Sequence, residues 1–161
     1  MHDIVTDGRV RTNPAAECAH EVSRARRDLD RHVSGTWPQK AGLKFVKHTD
    51  GNLNPILDDL ANIVDGLHPL DPTAIMDIGD VKRRYGDRLV LIGNISVDNL
   101  CTRTREEIIR ETKERLRTAA PGGGYVLSSS NSWYTDAKFE NCLAMMDAGR
   151  KYGRHPISVR D

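Results

Sequence analysis

The chain has 161 residues, a length that suits one domain with a hydrophobic core of its own. Charged residues make up 29% of it and the formal net charge is +1, so it lacks the excess of basic charge that binds nucleic acid or membrane surfaces. No apolar run approaches the roughly 18 residues of a membrane span, and the first residues do not read as a signal peptide. We therefore expect neither a nucleic-acid partner nor a membrane partner.

Residues 1–40 differ in character from the rest of the sequence. Apolar residues with helical spacing run through a densely charged stretch, which "GTWPQKAG" then interrupts. These apolar residues are Cys18, Val22, Ala25, Leu29 and Val33. We predict one helix or a poorly ordered lead-in over residues 1–40, followed by one domain over residues 41–161.

From residue 41 onward, short apolar runs alternate with segments of helical spacing. The four runs, each ending in polar or glycine residues, are "GLKFVKHTDGN", "IVDGLHPLDP", "RLVLIGNIS" and "GYVLSSSNS". This alternation predicts an α/β fold, in which crossover helices connect the strands of a parallel sheet. Because the runs are almost continuously apolar, we expect both faces of the sheet to be covered.

The first two predicted helices follow the first two runs. Their apolar positions are Pro55, Ile56, Leu57, Leu60 and Ile63 in the first, and Ile75, Ile78, Val81 and Tyr85 in the second. Asp71 is the predicted N-cap of the second helix, and Pro72 would occupy its first helical position.

The third and fourth helices follow the last two runs. We predict the third over residues 104–119, since Thr104 and Glu107 have the spacing of a capping box. The fourth is predicted over residues 137–152, and its spaced apolar positions are Leu143, Met146 and Gly149.

Polar side chains follow all four predicted strands. They are His48 and Asp50, His68 and Asp71, Asn94 and Ser96, and Ser128 to Asn131. In folds with parallel strands, functional side chains collect at the carboxyl ends of the strands. The sequence therefore predicts a site at this edge of the sheet.

His48 and Asp50 are the predicted catalytic pair. An Asp two residues after a His can orient the imidazole and raise its pKa, which suits acid–base catalysis. The two side chains could also share a metal ion, or His48 could bond only to a neighbouring backbone group. The residues expected to contact substrate are Asn52, His68, Asn94, Ser130 and Asn131.

Other interpretations of these polar residues remain open. His68 could cap or pack a loop, and Asn94 could form a turn. The serines 128–130 have no base paired with them in the sequence, which argues against a serine nucleophile. The three cysteines Cys18, Cys101 and Cys142 are widely spaced, which indicates reduced thiols in a cytoplasmic protein.

Residues 41–157 resemble the C-terminal half of the uroporphyrinogen decarboxylase family. The resemblance follows the order and spacing of "GLKFVKHTDGNLNPILDDLANIVDGLHPLDP", "VKRRYGDRLVLIGNIS", "EEIIRETKERLRTAAPGGGYVLSSSNS" and "ENCLAMMDAGRKYGRHPI". It implies a TIM-type (β/α)₈ barrel, of which this chain would supply the last four units. It also implies decarboxylation of the acetate side chains of a tetrapyrrole, or methyl transfer as in the corrinoid-dependent relatives.

The decarboxylase branch implies a reaction without a cofactor. Its members carry Gly-His-Gly after the last strand, where this sequence reads "SSSNS" and Asn131 cannot titrate. The Arg-rich segment and the Asp that grips the pyrrole nitrogens belong to the N-terminal half in that branch, and residues 1–40 do not resemble them.

The methyltransferase branch implies zinc and a corrinoid partner. Its zinc site is written His-x-Cys, with a later Cys after the last strand. His48 matches the first ligand, Asp50 replaces the first Cys, and serines 128–130 stand in the region of the second. His48 and Asp50 thus remain the candidate metal ligands.

The alternative function is that of a truncated, non-catalytic half-barrel. Such a chain would be inactive, or would need a partner chain to supply the missing half. Four strands would leave two unpaired edges, at "GLKFV" and "GYVLS", and unpaired edges recruit other strands. We therefore also expect self-association.

Overall fold

The computed structural model describes residues 42–154 and 156–157. These residues all belong to one compact unit, Trp37–Asp161. The prediction for residues 1–40, a helix or a poorly ordered lead-in, lies outside the described residues. The predicted domain boundary at residue 41 therefore stays a prediction.

In the described part of the chain, the sheet has four parallel strands, in the order β1-β2-β3-β4. They are β1 (Val46–His48), β2 (Gly66–His68), β3 (Val90–Ile95) and β4 (Tyr125–Ser129). Each strand lies within one of the four predicted runs, so the predicted parallel α/β sheet is confirmed. Because the strands are parallel and adjacent in sequence order, their carboxyl ends meet at one edge of the sheet.

Within the described residues, five α-helices connect and follow the strands. They are α1 (Leu57–Ile63), α2 (Ile78–Tyr85), α3 (Val97–Thr102), α4 (Arg105–Ala119) and α5 (Phe139–Tyr152). Short 3₁₀ turns at Asn54–Ile56 and Pro72–Ala74 precede α1 and α2. The capping box of Thr104 and Glu107 is present at the start of α4, so that prediction is confirmed. Helix α3 was not predicted.

The start of α2 differs from the prediction. Asp71 does act as a cap, but it caps the 3₁₀ turn, where its carboxylate accepts a hydrogen bond from Thr73 N at 2.9 Å. The backbone then turns left-handed at Ile75, with φ of 61°, and leaves that side chain 79% exposed. Asp77 caps α2 instead. Ile75 is therefore not part of the apolar face, because a left-handed residue cannot lie inside an α-helix.

Helix α5 presents a different face from the one predicted. Leu143 and Met146 are exposed, whereas the buried positions are Asn141, Cys142, Ala144, Met145 and Ala148. The side-chain amide of Asn141 donates hydrogen bonds to the carbonyls of Leu100 and Arg103, at 3.0 and 2.9 Å. Burying that amide is favourable only while both bonds are kept, and this fixes the rotation of the helix.

The two faces of the sheet are covered unequally. The helices pack on the face that holds Leu67, Leu91 and Ile95, all of them 0% exposed. On the opposite face, Val46, Val90 and Val126 are 44%, 37% and 49% exposed. The expectation that both faces are covered is therefore wrong for the described part of the chain. We call the second surface the open face.

Candidate functional site

The carboxyl ends of β1 and β2 place two histidines side by side. His48 and His68 occupy paired positions in the register, and their Nδ1 atoms lie 2.6 Å apart. The main-chain bond from Thr49 N to His68 O, at 2.9 Å, continues the pairing one residue further. Two Nδ1 atoms form a hydrogen bond only when one of them carries the proton, so the two histidines share one proton between these atoms.

Asp50 lies on the other side of His48. Its Oδ2 is 3.8 Å from His48 Nε2, and both side chains are 53% exposed, so the attraction between them is modest in water. Asn131 Nδ2 donates to Asp50 Oδ1 at 3.4 Å. The loop that follows β1 thus meets the loop that follows β4, across the carboxyl end of the sheet.

His68 is the less accessible of the two histidines. Burial and then the charge of His48 hold the pKa of His68 below its ordinary value, while a backbone hydrogen bond with Ser129 and the charge of Asp50 act in the other direction. Since Nδ1 of His68 faces His48, Nε2 is the atom left to donate to Ser129. With its pKa lowered, His68 is the member of the pair that stays neutral more readily, which suits it to accept at Nδ1.

Asn94 lies at the end of β3 and is 1% exposed. Its Nδ2 donates to Leu70 O at 2.7 Å, but its buried Oδ1 has no hydrogen-bond partner within the described residues. The preceding residue, Gly93, has φ of 138°, and its carbonyl accepts a bond from the Tyr125 hydroxyl at 2.5 Å. Asn94 is thus held in place with one acceptor atom unused.

Asn52 and Ser130 have local hydrogen-bonding partners. Asn52 Oδ1 accepts from Asn54 N at 3.0 Å, as in an Asx turn, which orders the loop after β1. Ser130 is buried, and its Oγ accepts from Val97 N at 3.2 Å at the start of α3. The structure therefore brings together His48, Asp50, His68 and Asn131, while Asn52 and Ser130 order the surrounding loops.

Sequence reasoning did not identify Glu111 on α4. One carboxylate oxygen of Glu111 accepts from Ser96 N at 3.0 Å, and the other accepts from Asn99 Nδ2 at 2.9 Å. Glu111 thereby holds the turn that follows Asn94, and it lines a polar cavity of about 500 Å³ on the helix side. Its only signal in the sequence is its place in the charged helix α4, which does not indicate this contact.

The donor atoms at this edge differ from those of the thiolate zinc site that the resemblance implies. No group of three or more His, Cys, Asp and Glu side chains suited to a metal ion occurs within residues 42–154 and 156–157. Cys101 lies on α3, and Cys142 is buried in the core, where burial raises the pKa of its thiol. The edge thus offers imidazoles and a carboxylate, and neither of these two cysteines contributes a thiolate there.

No helix among the described residues combines the length and the apolar character needed to cross a membrane. Known proteins resemble the chain both in sequence and in structure. Uroporphyrinogen decarboxylase of Methylococcus capsulatus is 35% identical over 77 residues, which are 47% of this chain and 21% of that protein. A methyltransferase from Methanosarcina mazei matches in structure with a TM-score of 0.62 and 25% identity, over 89% of this chain and 39% of that one.

The methyltransferase has a TIM-type barrel, so the predicted barrel fold is confirmed for the four β/α units of this chain. The chain spans much less than two thirds of either relative's length. The model of the uroporphyrinogen decarboxylase (URO-D) family matches residues 24–152, which is most of the sequence. The chain therefore belongs to the uroporphyrinogen decarboxylase family.

Proposed function

We propose that the carboxyl edge of the sheet is an acid–base site for removing carboxyl groups from a tetrapyrrole. The observation that carries this proposal is the hydrogen-bonded pair of His48 and His68 beside Asp50. When an acetate side chain loses CO₂, the C–C bond breaks and its electron pair stays on the carbon. A proton must then be delivered to that carbon, and an imidazole is the side chain best suited to deliver it near neutral pH.

Each histidine has its own role in this proposal. His68 accepts at Nδ1, so His48 donates there, and the Nε2 of His48 is directed toward Asp50 and solvent. A proton held at Nε2 by the nearby carboxylate can be passed to a substrate carbon, and solvent then replaces it. The unused Oδ1 of Asn94 suits a pyrrole N–H, which is a donor without an acceptor of its own.

Methyl transfer is the second candidate, because the methyltransferase from Methanosarcina mazei has a similar structure. In that reading His48 and Asp50 would be ligands of zinc, and a corrinoid would be the partner. Within the described residues no cysteine lies at this edge, and this weighs against the candidate, since soft sulfur ligands suit a zinc ion that activates a thiol.

A half-barrel that acts only with a partner, or does not catalyse at all, is the third reading. The exposed valines of the open face favour it, because in a closed barrel those side chains meet the opposite wall. A tetrapyrrole must be positioned by several groups at once, and the four strands of the described residues supply only part of the surrounding wall.

The test is anaerobic incubation with uroporphyrinogen, followed by chromatography of the oxidised products. We expect no turnover by the dilute chain, because losing the groups that position a substrate costs many powers of ten in rate. With concentrated chain in excess over substrate, we expect products with fewer carboxyl groups. Uroporphyrinogen that binds but stays intact at every chain concentration would refute decarboxylation. Demethylation of methylcobalamin in the presence of zinc and a thiol would favour the second candidate instead.

A further inference from the structure

The polar cavity of about 500 Å³ on the helix side of the unit has a strongly charged wall. One side of α4 forms this wall, together with the start of α3 and the 3₁₀ turn at Pro72–Ala74. Its charged side chains are Arg103, Arg110, Arg115, Glu107, Glu111 and Glu114. Sites for small molecules have volumes of about 300–1,000 Å³, so the cavity is large enough for a ligand, and its lining suits a polar one.

Two of the glutamates in the wall already have close partners in the chain. Both carboxylate oxygens of Glu111 accept hydrogen bonds from the start of α3, as described above. Glu107 Oε2 accepts from Thr104 N at 2.9 Å, and its Oε1 lies 3.5 Å from a guanidinium nitrogen of Arg103. These two carboxylates are therefore occupied, and they are poorly placed to hold a cation in the cavity.

The arginines of the wall keep donors that have no such partner. The Arg115 side chain is only 21% exposed, and its Nε is buried without a hydrogen-bond partner within the described residues. Glu114 Oε1 lies 3.7 Å from Arg115 Nη1, which is longer than a hydrogen bond, and the Glu114 side chain is 61% exposed. A buried donor without an acceptor is costly, and more so when it is charged. The wall thus lacks an acceptor for Arg115.

We propose that this cavity binds the oxyanion group of a small polar molecule, a phosphate or a carboxylate, with the guanidinium of Arg115 as its main anchor. An oxyanion supplies the acceptor that the buried Nε lacks. A planar guanidinium donates two parallel hydrogen bonds to two oxygens of such a group. Arg110 adds a second positive charge to the same wall. The cavity is larger than a single phosphate, so it also has room for the body of the ligand.

The proposed anion site is separate from the candidate acid–base site. None of the side chains that the structure brings together at the carboxyl edge lines the cavity; these are His48, Asp50, His68 and Asn131. The inference therefore does not depend on the proposed function, and occupancy of the cavity can be measured without any substrate.

Isothermal titration calorimetry on the full chain, in a chloride buffer, tests the proposal with two probes, inorganic phosphate and succinate. We expect at least one of them to bind with a Kd on the order of 1 mM, as suits a small ion held by a few charge-assisted hydrogen bonds. The probe that binds more tightly tells a phosphate ligand from a carboxylate ligand. No binding of either probe at tens of millimolar would overturn the proposal.

Substitutions locate the bound anion. Arg115→Gln should weaken binding by at least about tenfold, the effect of losing one charged hydrogen bond. Arg115→Lys should weaken it by a similar factor, because lysine keeps the charge but loses the planar pair of donors. The matched control is Arg150→Gln on α5, whose side chain is 72% exposed and does not line the cavity. It removes the same charge and should leave binding unchanged.

Equal weakening by Arg115→Gln and Arg150→Gln would overturn the proposal, since it would show attraction to the net charge of the chain and not to a site. Unchanged binding in both Arg115 variants would overturn it as well. Thermal unfolding checks that these variants are folded. If they are not, Arg110→Gln decides, because that residue is exposed and its replacement should not disturb the fold. It should weaken binding measurably, and unchanged binding in this variant would then refute the site.

Discussion

The two faces of one four-stranded sheet have different surroundings. Leu91 is 0% exposed under the helices, whereas its neighbour Val90, pointing the other way, is 37% exposed. On β1 the same alternation sets Lys47 on the helix side and His48 on the open side. The covered face supplies the apolar contacts that hold the unit together, and the open face ends in the histidines. Successive side chains of a strand point to opposite faces, so the residues that stabilise the fold lie on one face and the histidines proposed for catalysis lie on the other.

The largest expected difference between the faces is in catalysis. We expect His48→Gln to lower the rate of uroporphyrinogen decarboxylation by the concentrated chain by about 10²–10⁴-fold, the usual contribution of acid–base catalysis. Lys47→Gln, one residue earlier on the same strand, should leave that rate almost unchanged. Single-turnover measurements on both variants provide the comparison. Equal losses of decarboxylation rate in the two variants would contradict the assignment of catalysis to the open face.

For the free energy of unfolding we expect the opposite: a substitution on the covered face should cost more than one on the open face. Leu91→Ala removes a fully buried side chain, so the free energy of unfolding should fall by about 2–5 kcal/mol. Val90→Ala should cost less than about 1 kcal/mol in dilute protein, because water already reaches the valine. Urea unfolding of both variants measures these values.

The smallest expected effect concerns pH. The pKa of His68 is lowered in the folded chain by burial and by His48, so the unfolded chain binds more protons below about pH 6.5. The stability associated with neutral His68 is therefore intact above that pH and is lost as the pH falls. Urea unfolding between pH 8 and pH 5 should show a steeper decline for the wild type than for His68→Gln. Parallel declines would contradict this assignment.

The strands, their polar ends and the capping box of α4 were predictable because each depends on neighbouring residues. The alternation of apolar runs locates β1 to β4, and Thr104 lies three residues before Glu107, as a capping box requires. The apolar spacing of α5 led to the wrong face, since the helix is rotated by Asn141, whose partners lie about 40 residues away. Such contacts leave no local pattern in the sequence.

The candidate site was predictable only in part. Its location followed from the parallel sheet, and His48 and Asp50 are adjacent as expected. The direct bond between His48 and His68 depends on the register of β1 against β2, which the sequence does not specify. The sequence did hint at the pairing of the two histidines, because each of them ends a short run of similar length. Glu111 acts through the unpredicted helix α3, so no sequence pattern connected it to the site.

Gly93 limits how this sequence can vary. Its backbone has φ of 138°, and a Cβ atom there would collide with the main-chain carbonyl oxygen of Pro69. That obstacle is backbone, so no rotation of a side chain can relieve it, and every other residue type is excluded at this position. A relative that builds the same turn before Asn94 must therefore keep a glycine there. Position 93 can accordingly serve as a marker when genomes are searched for chains with this strand end intact.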